Sequence, residues 1–170
     1  MVPPSPSAVA GPTVPSPRPG VTADAASEAK AAAWLAGARV PPGATLVKSP
    51  PPGTAIDDQE QGWWCEPMAE REAYWTVSGM TMVEVANWLR AHPSNGLTVV
   101  DPPPLETPSP DATNDYVHDF PSPTAFEGMT FNLATWGNDS AVIHLQLAVL
   151  STNSACATAG PGQQLMTAGG

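Results

Sequence analysis

Residues 129–150 carry the clearest pattern in the chain. Met129, Phe131, Leu133 and Thr135 alternate with Thr130, Asn132 and Ala134. After Gly137-Asn138-Asp139, residues Ile143, Leu145, Leu147 and Val149 alternate with His144 and Gln146. A period of two puts successive side chains on opposite faces of a strand, so the two runs predict a hairpin, with Gly-Asn-Asp as its turn. His144 and Gln146 are read as facing outward. The same alternation places Tyr116, His118 and Phe120 on one face of a strand over 115–120, and Val117 and Asp119 on the other.

Upstream, Glu72-Ala73-Tyr74-Trp75-Thr76-Val77 is aromatic and β-branched and predicts another strand. Thr81 followed three residues later by Glu84 is a capping box. Met82, Val85, Ala86 and Leu89 then recur at helical spacing until Pro93, which predicts a helix over 82–91. Leu97 to Val100 reads as a short strand. Ala44 to Val47, with prolines on both sides, reads as an edge strand. Residues 22–38 are rich in alanine, with Thr22 or Asp24 to cap and Gly37 to stop, and predict a helix. Trp34 and Leu35 are its only large apolar residues, so it is expected to dock weakly or act as a spacer.

The pattern predicts an α+β domain: a small, mostly antiparallel sheet with one main helix, 82–91, on one face. The expected division is a Pro/Ser-rich disordered arm over 1–21, the Ala-rich helix over 22–38, one domain over 40–151, and a disordered tail over 152–170.

Composition sharpens this picture. Twenty-two prolines among 170 residues exclude a full-length helical bundle, and 42% hydrophobic residues argue against wholesale disorder. A net charge of −10 repels phosphate backbones, so no nucleic-acid partner is expected. No apolar run is long enough to cross a membrane. Met1 leads directly into Val2-Pro3-Pro4, without a basic and apolar leader, so the literal reading is cytoplasmic. Export or lipid anchoring is the alternative if a leader precedes this start.

Candidate chemistry is sparse. Cys65 and Cys156 give no metal-ligand spacing. They form one disulfide if the protein is exported. They stay apart if Cys156 belongs to a tail without fixed geometry. Cys65 beside Trp63, Trp64 and Glu66 is a poor setting for a reactive thiolate. No phosphate-cradling glycine loop and no nucleophile elbow occur. Asn138-Asp139-Ser140 fits a glycosylation acceptor but reads more simply as turn. No catalytic residue, metal or cofactor is assigned. Exposed tryptophans with carboxylates can hold sugars or peptides, which makes Trp63, Trp64, Glu66 and Trp136 the candidate contact surface. The competing idea, a small hydrolase or metal-dependent enzyme, would use His118, His144 and Asp119.

Four stretches are similar to a group of actinobacterial exported or lipid-anchored proteins of uncharacterised activity. They are Arg39-Val40-Pro41-Pro42-Gly43-Ala44, Tyr74-Trp75-Thr76-Val77, Val85 to Pro93 with its terminal Trp-Leu-Arg-Ala-His-Pro, and Gly96-Leu97. The resemblance covers about two thirds of the chain. It implies a small α+β domain in a cell-envelope setting and no particular activity. Two departures stand out. The chain lacks a leader, and residues 155–170 are small and polar where the similar proteins continue with apolar sequence, as a truncated product would. The expectation is therefore a non-catalytic structural or binding domain, with an envelope or protein partner.

Overall fold

The computed structural model describes residues 19–56, 62–100, 113–160 and 164–165. In chain order its elements are α1 (Ala25–Ala36), β1 (Thr45–Val47), β2 (Cys65–Ser78), α2 (Met82–Ala91), β3 (Thr98–Val99), β4 (Asn114–Phe120), β5 (Gly128–Thr135) and β6 (Ser140–Cys156). The strands form one six-stranded sheet in the order β1-β2-β6-β5-β4-β3, with every neighbouring pair antiparallel. The expected α+β class is what the chain builds, with two helices on the sheet rather than one main helix.

Alternation decides which side the helices cover. Odd-numbered residues of the long strands share one face. Val77, Val117, Met129, Phe131, Leu133, Ile143, Leu145 and Leu147 are buried there. They meet Ala31 of α1 and Met82, Val85, Ala86 and Leu89 of α2 in one cluster. The α2 stripe is the one its spacing predicts. Its start is fixed by the Thr81 hydroxyl accepting the Glu84 N–H, while the Glu84 carboxylate accepts the Thr81 N–H at 2.7 Å. Near its end, Arg90 Nη2 donates to the Asp115 carboxylate of β4 at 3.0 Å and to the Tyr116 carbonyl at 3.2 Å.

α1 corrects the expectation of a weakly docked spacer. It lies against β2 and β6. Ala31 is fully buried, which brings the helix backbone close to the sheet, and Trp34 and Leu35 pack beside it. Polar anchors complete the docking: Glu28 pairs with Arg71, and Lys30 Nζ reaches Glu127 at 2.6 Å. Those partners lie 43 and 97 residues away along the chain, out of reach of any local pattern.

The expected tail boundary at 152 is also corrected, because β6 continues to Cys156. The β2–β6 register shifts between Glu66 and Met68, which makes an irregular corner at 151–154. The small polar residues that read as tail are pinned there. Ser151 N–H donates to Ser154 Oγ at 2.9 Å, and Ser154 O–H donates to the Pro67 carbonyl at 2.6 Å. Beyond the corner, Cys65 and Cys156 stand opposite each other and are joined by a disulfide. The proline-rich arm up to residue 18, the proline-rich loop at 101–112 and most of the final ten residues lie outside the described residues.

Candidate functional site

The even-numbered face of the sheet carries no helix among the described residues. Its two ends are apolar. Ile56 packs on Ala134 and Val142 at one end. Trp63, Trp64 and Phe126 pack on Met68 and Ala148 at the other.

Between these ends runs a polar belt that the register assembles from four strands. Tyr74 stands opposite His144, His144 opposite Asn132, and Asn132 opposite Tyr116. One step along, Glu72 stands opposite Gln146, Gln146 opposite Thr130, and Thr130 opposite His118. Eight polar or aromatic side chains therefore form two adjoining rows across β2, β6, β5 and β4. A mixed belt of this kind is unusual on a face where Thr130, Asn132 and His144 are at most 5% exposed.

The internal bonds of the belt are specific. The Tyr74 ring stacks on the His144 imidazole, centroids 4.2 Å apart. His144 Nε2 lies 3.3 Å from Glu72 Oε2, and Asn132 Nδ2 donates to Gln146 Oε1 at 2.8 Å. Burial pushes the His144 pKa down, and the Glu72 carboxylate opposes that shift only in part. Burial, assisted by the Glu72 charge, pushes the Tyr74 phenol up. Burial alone does the same to Tyr116.

Among the described residues, three buried atoms in this belt have no hydrogen-bond partner: Thr130 Oγ1, Asn132 Oδ1 and His144 Nδ1. A buried polar atom without a partner costs about 1–3 kcal/mol. These three occupy one patch on two neighbouring strands. Past the end of β1, a cleft of about 420 Å³ opens at the outer edge of β2, across that strand from the patch. Its lining runs from Leu35, Ala73 and Trp75 on the helix side to Glu72 and Tyr74 of the belt.

The residues expected from sequence do not form one surface. Trp63, Trp64 and Glu66 lie at the start of β2, where Trp63 also faces Phe120 across 6.3 Å. Trp136 follows β5 at the opposite end of the sheet, 38% exposed. The length of β2 separates them, roughly 40 Å at 3.3 Å per residue. A strand-length hairpin carries Trp136 away from the other three. The His118, His144 and Asp119 grouping also fails. Asp119 points to the helix side, where its carboxylate accepts the Ser94 N–H at 2.7 Å. His118 and His144 share the helix-free face but lie on β4 and β6 with β5 between them, roughly 10 Å apart. Among the described residues, no three His, Cys, Asp or Glu side chains are grouped to hold a metal ion.

Sequence reasoning missed Glu72, Tyr74, Thr130, Asn132 and Gln146 as site residues. The available signal was their shared parity, polar residues at even positions in strand after strand. Reading it requires the register, which sets residues as remote as Glu72 and Gln146 opposite each other. No protein-family model, curated protein or solved structure matches the chain.

Proposed function

We propose that this is a non-catalytic binding domain, and that its polar belt takes a small ligand on the helix-free face of the sheet. The observation that carries this reading is the group of three neighbouring buried atoms, Thr130 Oγ1, Asn132 Oδ1 and His144 Nδ1, without partners. Folding leaves such atoms bare at a cost, and a ligand that displaces the side chains closing them off from solvent and bonds to them recovers it. The cleft at the outer edge of β2 is lined by Glu72 and Tyr74 of the same belt. Binding is favoured over hydrolysis because the Thr130 hydroxyl makes no hydrogen bond to a base that would activate it.

The Cys65–Cys156 bond supports an oxidising compartment, in keeping with an envelope setting. No helix among the described residues is long and apolar enough to cross a membrane.

A fragment screen by backbone-amide NMR on the oxidised full chain tests the binding reading. Hits should move the amides of 130–132 and 144–146 together. Hits that cluster only around Trp63 and Trp64 would move the site to the far end of β2 and overturn it.

A further inference from the structure

We infer that the ligand of the belt is a small neutral molecule with neighbouring hydroxyl groups, of the sugar or polyol class. This rests on the binding reading above and specifies its chemistry. The hydrogen-bond inventory of the patch sets the requirement. Asn132 Nδ2 gives one of its two N–H groups to Gln146, and its bare Oδ1, a carbonyl oxygen, can only accept. His144 Nε2 faces the Glu72 carboxylate, which can only accept, so Nε2 holds the ring proton. The bare Nδ1 of the neutral ring is then a second acceptor. Thr130 Oγ1 can donate as well as accept. The patch thus presents two acceptors and one hydroxyl, and the ligand must bring at least two donors.

Charge narrows the choice. An anion would meet two bare acceptors in a chain of net charge −10. A cation would supply donors but would be desolvated among neutral atoms. The adjoining carboxylate, Glu72, has a side chain 64% exposed and is already engaged by His144 and by the Tyr74 hydroxyl. A hydroxyl group suits the patch because it donates once and accepts in return. One ligand O–H donates to Asn132 Oδ1 while its oxygen accepts the Thr130 O–H. A neighbouring O–H donates to His144 Nδ1. Asn132 and His144 are direct cross-strand partners, a spacing that adjoining hydroxyls on one ring can bridge. The Tyr116 ring, half-buried in the same row, offers a flat face to the C–H side of such a molecule.

The test is a titration of the oxidised full chain followed by amide NMR. The probes are D-glucose, D-galactose, myo-inositol and glycerol, with n-butylamine, acetate and N-methylacetamide as probes without hydroxyls. The expected result is saturable shifts at Thr130, Asn132 and His144 with at least one hydroxylated probe and with none of the other three. Thr130→Val and Asn132→Leu should each weaken that binding about tenfold or more, the loss expected for one hydrogen bond to a buried group. The remaining amide shifts of each variant report whether it is folded. The His144 ring-nitrogen shifts give an independent readout and should show the proton on Nε2. A proton on Nδ1 would overturn the acceptor assignment. Shifts at these amides with butylamine or N-methylacetamide but with no hydroxylated probe would overturn the hydroxyl class and leave the binding reading standing. No shift with any of the seven, together with a Thr130→Val variant more stable than the parent, would mean a belt that is structural only and would overturn both.

Discussion

Gly128 sits where the Phe120 ring crosses the helix-free face. A Cβ at this position would lie 2.7 Å from two carbons of that ring and 2.8 Å from the Asp119 carbonyl oxygen. Backbone and a fully buried ring cannot both give way, so Gly128→Ala should cost about 1–3 kcal/mol. The check is a lower urea midpoint at unchanged slope. Two other residues contribute to the acid response. The Asp24 carboxylate accepts the Ser27 N–H at 2.8 Å, the Thr152 N–H and O–H at 2.9 and 2.8 Å, and the Ser151 O–H at 2.9 Å. These bonds, led by the one from Ser27, hold its pKa well below the usual carboxylate range. A carboxyl with a depressed folded pKa contributes stability above its unfolded pKa, near 4, and loses it as pH falls further. Asp24→Asn should therefore be less stable than the parent at pH 6 and flatter below about pH 4. His144 acts in an earlier window. Burial lowers its folded pKa, so the unfolded chain takes up the proton first as pH falls through about 6.5. Stability should decline from pH 7 toward 5, and His144→Phe should remove that decline. Urea melts across pH 3–8 separate the two windows.

At the scale of elements, α2 and the β5–β6 hairpin were legible in the sequence because their determinants are local. Thr81 and Glu84 are three residues apart, and the side chain of each accepts the backbone N–H of the other. Thr81→Ala should cost about 1 kcal/mol, visible as a lower melting temperature with the sheet intact by circular dichroism. The hairpin followed from its period of two, and its register, Leu133 against Ile143 and Phe131 against Leu145, keeps both apolar sets on the helix side. α1 was legible as a helix but not as a docked one. Its alanines bury little area each, and its anchors at Arg71, Glu127, Ser151 and Thr152 are remote in sequence. The alternation points His144 and Gln146 outward, which holds for direction but leaves His144 buried and Gln146 half-buried. His144 is 5% exposed because its face is packed as well. The polar belt was illegible for a further reason. It exists only when four strands hold one register, and a slip of one residue would send Asn132 or His144 to the helix side.

The molecule as a whole begins and ends its fold in different places from those the composition marks. Proline-rich sequence suggested a domain starting near 40. The contacts of Asp24, Glu28 and Lys30 place the start at α1, and the Cys65–Cys156 bond places the end beyond 151. Limited proteolysis under oxidising conditions should therefore leave a fragment that includes both Asp24 and Cys156, as read by intact mass. A resistant fragment starting near Val40 would mean that α1 is not held. The Asp24 joint has another consequence. Asn153 Nδ2 donates to the Thr22 carbonyl at 3.3 Å, and Thr152 meets Asp24, so the first and last parts of the fold touch at one corner. The hairpin tip at Gly137 is at the far end of β6. The fold is thus built like a plug with its two leads side by side. A host protein could carry residues 22–157 spliced into one of its surface loops without being stretched, and the tip would project outward from the graft.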